Sequence, residues 1–197
     1  MSGELVYSND LRSAFLAAIV QSFANAHPSR ELGRTAMQKL TYFTKVLGVP
    51  VPCSFGIYTY GPYSDQVTFA VASLLADDVI EDRCRAPERS NYRPGPNSQE
   101  LISEYEHYVH PYEDKINLVV NILGKLRPNQ LELVSTLHFL AMRQMQIYKS
   151  FSEDSVVGEF KSIKGDKFRD RDIRACYESL ASTGLLSAHG ISRSASV

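Results

Sequence analysis

Apolar residues recur along this chain at intervals of three and four over most of its length, and they alternate only in short stretches. Leu11, Phe15, Ile19 and Phe23 predict a first amphipathic helix, with Ser8, Asn9 and Asp10 as candidate caps and an end near His27-Pro28. A second helix is expected over 34–47. Ala36, Leu40, Phe43 and Leu47 form its inward stripe with Met37 beside them, and Gln38, Tyr42 and Lys45 lie on another face. Gly48 stops it, and Pro50 and Pro52 keep the chain extended afterwards. The aromatic and β-branched stretch 54–60 predicts a strand, and Gly61-Pro62 is expected to open a third helix with its stripe at Val67, Ala70, Val71, Leu74 and Leu75.

Asp77-Asp78 end that helix. A short strand over 79–83 and a return over 91–93 complete a hairpin. Three helices followed by a two-stranded hairpin is the order of a winged helix-turn-helix. Pro94-Gly95-Pro96-Asn97 closes the unit and supplies the internal boundary. The rest is expected to be helical. Ile102, Tyr105, Val109, Tyr112, Ile116, Val119 and Leu123 keep the helical period across Pro111, as one kinked helix or as two. Asn129 with Glu132 resembles a capping box ahead of Leu133, Leu137, Leu140, Met145 and Tyr148. Ser152 caps a helix carrying Val156, Val157, Phe160 and Ile163. Phe168 and Ile173 are spaced as a hydrophobic staple for a last helix that Gly184 ends. The stretch 67–80 also aligns without a gap on 173–186, helix, stop and apolar pair in each. Any short helix feeding a core segment has that pattern.

The expected fold is therefore mainly α: a winged-helix-like core over 1–96 with a small β-hairpin, a helical bundle over 97–186 packed on it, and a flexible tail over 187–197. Composition allows this, since 197 residues with 44% apolar and 22% charged can build a core without disulfides or metals. Cys53, Cys84 and Cys176 form no CxxC pair, as in a reduced, cytoplasmic protein. The stretch 11–20 lacks the basic flank of a signal peptide, and no apolar run is long enough for a bilayer.

Catalytic chemistry is not evident. His107 and His110 can share a helix face, but zinc needs further ligands at sensible spacing, so neither metal nor cofactor is expected. No nucleophile elbow, P-loop or dinucleotide fingerprint occurs. A net charge of -1 leaves room only for local basic patches. One is the hairpin with Arg83, Arg85, Arg89 and Arg93; another is the run Lys161, Lys164, Lys167, Arg169, Arg171 and Arg174, interleaved with aspartates. The third helix, where a winged helix would read bases, has no Arg or Lys. Tyr58, Tyr60 and Tyr63 crowd one turn, either as packing or as contact surface for a partner.

Gly33-Arg34-Thr35-Ala36-Met37-Gln38-Lys39-Leu40-Thr41-Tyr42-Phe43, followed by Tyr58-Thr59-Tyr60-Gly61-Pro62-Tyr63-Ser64, resembles the YwgA-like bacterial proteins. More distantly it is similar to the Panacea (SocA-like) antitoxin domain and to the C-terminal domain of the antitoxin DarG. The matching core covers 33–75, with further likeness at 126–136 and 167–186. The resemblance implies a non-enzymatic helical domain that neutralises or adapts another protein, such as a co-encoded toxin or defence effector. Nothing here resembles the DarG macrodomain, so its hydrolase activity does not carry over. On this reading Arg34, Lys39, Tyr42, Tyr58, Tyr60 and Tyr63 are candidate partner-binding residues. The alternative is a winged-helix nucleic-acid-binding regulator using Arg83, Arg85, Arg89 and Arg93. A third reading is self-association, as a homodimer, through the tyrosine-rich segment 105–112.

Overall fold

The computed structural model describes residues 5–84, 86 and 88–186. They are mainly helical, with two small two-stranded antiparallel sheets. Two units emerge: Met1–Phe55 with Ser64–Leu126, and Gly56–Tyr63 with Arg127–Val197. The division differs from the boundary expected at 96. Pro94-Gly95-Pro96-Asn97 folds back inside the first unit, where the Asn97 side chain donates to Asp77 O at 2.8 Å. A Cβ at Gly95 would stand 2.2 Å from Asp78 O, so the return is too close for any side chain. The tail 187–197 lies outside the described residues.

In the first unit, α1 (Leu11–Ala26) is capped by Asp10, whose carboxylate accepts from Ser13 N at 2.7 Å. Its Phe15, Leu16, Ile19, Val20 and Phe23 are buried, each contributing about 1.5–3 kcal/mol. Ala14 and Ala17 are buried too, so α1 has elements on several sides: α3 (Asp65–Ala76), β4 (Tyr92–Pro94), α4 (Ser98–Glu104) and α6 (Glu113–Leu123). The helix α2 (Arg34–Val46) starts at Arg34 as expected, with Gly33 as its cap, but is buried beyond its apolar stripe. Gln38, expected on an outer face, is inside because its amide completes the Ser64 peptide: Nε2 donates to Ser64 O and Oε1 accepts from Ser64 N, both at 3.0 Å.

The third helix begins at Asp65 with Ser64 as its cap, and not at Gly61-Pro62. It ends at Ala76, and Asp78 takes a left-handed φ of 52°. The Asp77 carboxylate accepts from Tyr7 N, Ser8 N and the Ser8 hydroxyl at 2.7–2.8 Å, fixing the entering chain. Burial opposes its ionisation, but these hydrogen bonds prevail and hold it below the usual carboxylate range. The sheet β3 (Ile80–Asp82) with β4 forms where a hairpin was expected, in the register Ile80↔Pro94 and Asp82↔Tyr92. Pro111 sits in a 3-10 turn, His110–Tyr112, that divides α5 (Glu106–Val109) from α6. Ile116, Val119 and Val120 of α6 are buried.

The second unit contains a hairpin, β1 (Gly56–Tyr58) with β2 (Gly61–Tyr63), and the helices α7 (Pro128–Tyr148), α8 (Glu153–Lys164) and α9 (Asp170–Ser182). The stretch 54–60 is thus a shorter strand than expected, and its partner strand carries the Gly61-Pro62 pair. The core joins Leu137, Leu140 and Ala141 with Val156, Val157, Phe160, Ile173 and Leu180. Helix α7 starts one residue after Arg127, with Gln130 Oε1 accepting from Arg127 N at 2.9 Å. The expected box at Asn129 and Glu132 does not form, because Glu132 points inside. Ser152 caps α8 as expected, and Phe168 and Ile173 join the same core at the start of α9. Gly184, φ 75°, ends α9. The segment aligned with β3, at Leu185-Leu186, is a turn with Leu186 buried, so the internal echo extends to the helix and its stop alone.

Candidate interaction site at the hairpin tip

The turn between β1 and β2 brings three tyrosines onto one short element. Gly61 has φ +89°, a left-handed conformation that glycine adopts without strain, and it pairs with Tyr58 across the two-residue turn Thr59-Tyr60. A Cβ there would lie 2.5 Å from Thr136 Oγ1 and 3.3 Å from Ser135 Oγ, so Gly61 also lets the hairpin seat on α7. Tyr58 and Tyr60 remain 58% and 59% exposed. The Tyr58 ring leans on Tyr63 at 5.2 Å, so Tyr63 serves as a backing for it and is itself half-buried.

Beneath the turn lies a charged cluster. Glu132 of α7 is 3% exposed and accepts from Lys164 Nζ at 2.9 Å and from Lys167 Nζ at 2.8 and 2.9 Å. Lys164, whose side chain is 2% exposed, also donates to Thr59 O at the tip of the turn. Lys167 Nζ stands 4.9 Å over the Tyr60 ring, within cation–π range. One carboxylate therefore holds two ammonium groups, one gripping the hairpin backbone and the other facing its exposed ring.

The candidate residues fall into different environments. Tyr58, Tyr60 and Tyr63 come together. Arg34 is exposed at the start of α2, where its Nε donates to Ser90 Oγ at 2.9 Å. Lys39 and Tyr42 are 2% and 6% exposed. Tyr42 meets Phe43 and Phe55 edge-on, and burial raises its hydroxyl far above its ordinary pKa. Among the hairpin arginines, Arg83 pairs with Glu81 at 3.0 Å and Arg89 pairs with Glu31. Arg93 donates to Pro28 O at 2.9 Å and to Arg30 O at 2.6 Å, tying β4 to the loop after α1. Arg85 lies outside the described residues.

The second basic run is largely consumed internally. Lys161 pairs with Asp170, and Arg174 reaches Glu153, Asp154 and Asp170 at 2.7, 3.1 and 3.2 Å. Hydrogen bonding from Lys161 leads the causes that keep Asp170 below its ordinary range. His107 lies against the Tyr108 ring, whereas His110 Nδ1 is 3.3 Å from Glu113. Among the described residues no group of three His, Cys, Asp or Glu is placed to hold a metal ion. The thiols of Cys53 and Cys176 are not activated: burial raises Cys53 despite Lys45 and Arg12, and pushes Cys176 up to about 11. Among the described residues no helix is long and apolar enough to cross a membrane.

Sequence reasoning missed Glu132, Lys164 and Lys167 as partners of the hairpin. The available signal was a carboxylate followed at three and four residues by the small Ser135 and Thr136, which leaves room on that helix face. Compared with protein-family models and with curated proteins, the chain matches none.

Proposed function

We propose that the chain is a non-enzymatic protein-binding module of the antitoxin or defence-regulator type, which binds and restrains or adapts a partner protein. The observation that carries this reading is the pair of tyrosines held more than half exposed on a turn anchored by a buried ion-pair cluster. Tyrosine supplies large contact area with little side-chain entropy to lose, and anchoring lowers the ordering cost further. Tyr58, Tyr60 and Tyr63 are the residues of this surface, with Arg34 a more distant candidate in sequence. Lys39 and Tyr42 are buried within the first unit. We take the order α1, α2, α3, β3, β4 as that of a winged helix in which β1–β2 is an insertion. The nucleic-acid alternative has less support, because Arg89 and Arg93 are engaged with Glu31 and with backbone carbonyls of the same unit. The test is co-expression with the product of the adjacent reading frame. A stable complex that is lost in the Tyr58→Ala/Tyr60→Ala double variant, with folding retained, is the expected result. A complex indifferent to both changes excludes this surface.

A further inference from the structure

Helix α6 carries two apolar stripes, and the first unit uses one of them. Ile116, Val119 and Val120 are buried. On the opposite side Leu118 and Ile122, one turn apart, are 50% and 57% exposed. Asp114 lies one turn before Leu118, and Lys125 one turn after Ile122. The backbone stays helical at Gly124, so these four residues share one face. Asp114 and Lys125 are exposed, and neither has an ion pair among the described residues. Lys115, at the edge of this face, sets its ammonium group over the Tyr112 ring, 5.7 Å from its centre. The adjoining tyrosine-rich segment is largely consumed within the unit. Tyr105 donates to Asn9 Oδ1 at 2.8 Å and Tyr112 meets Phe15 edge-on, which leaves Tyr108 the most exposed of the three.

Along α6 the outer stripe reads acid, apolar, apolar, base. That order complements itself only when reversed. Two such helices packed antiparallel about a two-fold axis set Asp114 against Lys125 of the second copy at both ends, with Leu118 against its Ile122 between them. The spacing fits, since the midpoint between Asp114 and Lys125 falls within about 1 Å, along the helix, of the midpoint between Leu118 and Ile122. A parallel pair would oppose like charges instead. We infer that this face of α6 is a self-association surface, and that its occupant is a second copy of the chain in antiparallel register. The surface is independent of the hairpin tip. One helix face buries well under the roughly 800 Å² per partner of a standard interface, so the dissociation constant is on the order of 10–100 µM.

Sedimentation equilibrium of the full chain reads this directly, over concentrations that bracket that constant by about tenfold on either side. The expected outcome is monomer in exchange with dimer. Leu118→Ala/Ile122→Ala should weaken the dimer at least about a hundredfold, since both copies lose two apolar side chains from the interface. Asp114→Lys and Lys125→Asp should each weaken it about tenfold, because either one opposes like charges at both ends. The combined Asp114→Lys/Lys125→Asp variant restores complementarity and should return the dimer to near its original strength. Thermal melts confirm folding, and Lys125→Asp alone carries the charge test should Asp114→Lys melt early. A chain that stays monomeric at every concentration overturns the inference and leaves the hairpin reading untouched. A dimer indifferent to the alanine pair, or one lost instead in Tyr108→Ala or in Tyr58→Ala/Tyr60→Ala, overturns the assignment to α6. Loss on each single charge reversal without recovery in the combined variant overturns the antiparallel register.

Discussion

Glu132 and Lys164 form an ion pair at 2.9 Å in which both side chains are almost wholly withdrawn from water, 4% and 2% accessible. Lys164 carries the pair onward to Thr59 O, so the turn bearing the exposed tyrosines rests on a desolvated charge. Removing one member strands the other. Glu132→Ala is expected to destabilise the second unit by about 3–5 kcal/mol. Glu132→Gln, which keeps an acceptor but no charge, should lose less. Urea unfolding followed by circular dichroism checks both, and an alanine variant within 1 kcal/mol of wild type would contradict the arrangement.

Gly61 is required twice, by its φ of +89° and by the 2.5 Å approach a Cβ would make to Thr136 Oγ1. Gly61→Ala is expected to cost about 1–3 kcal/mol from the backbone alone, and more from the contact. Combining it with Thr136→Ala removes the contact but not the strain. The double variant should therefore be more stable than the sum of the two single effects implies, a coupling read from a double-mutant cycle.

His138 supplies a pH dependence. It is 1% exposed, and its Nε2 lies 3.2 Å from Leu185 O. Burial pulls its pKa down to about 4, with the Leu185 carbonyl opposing the shift. The unfolded chain, titrating near 6.5, binds this proton more readily than the folded one. The stability His138 contributes is fully present above pH 6.5, declines as pH falls, and is lost by about pH 4. The full excursion is on the order of 3 kcal/mol. Unfolding free energies at pH 7 and pH 4.5 should differ in wild type and converge in His138→Asn. Asp77 does not confuse the window, since its depressed pKa acts below its ordinary 3.8.

Tyr58→Ala and Tyr60→Ala should each change stability by less than about 1 kcal/mol, because both rings are mostly in water already. Tyr42→Ala, by contrast, empties a site packed by Phe43 and Phe55 and should cost about 3–5 kcal/mol. Thermal melts of the three variants separate surface from core. Equal losses in all three would deny the hairpin its role as a surface.

Much of the helical framework was legible from periodicity, because α8 and α9 carry a stripe with an ordinary cap or stop, and α1 and α2 keep apolar residues at helical spacing although both are buried more widely. Asp10, Ser152 and Gly184 act where their residue types suggested. Two features were not legible. Gly61-Pro62 satisfies the rule for a helix start and also that for the residues after a tight hairpin turn, and Thr136 on a distant helix completes the second. Gln38 and Glu132 look like surface polar residues until Ser64, Lys164 and Lys167 are seen to consume their hydrogen bonds. Each depends on contacts remote in sequence, which local patterning does not encode.

The most direct test of the central claim is an isothermal titration of the purified chain against the adjacent reading frame's product, repeated with Tyr58→Ala/Tyr60→Ala. The expected result is measurable binding by wild type, weakened at least about a hundredfold in the variant while its melting curve stays in place, as two interface anchors imply. Binding of equal strength by both proteins would contradict the account.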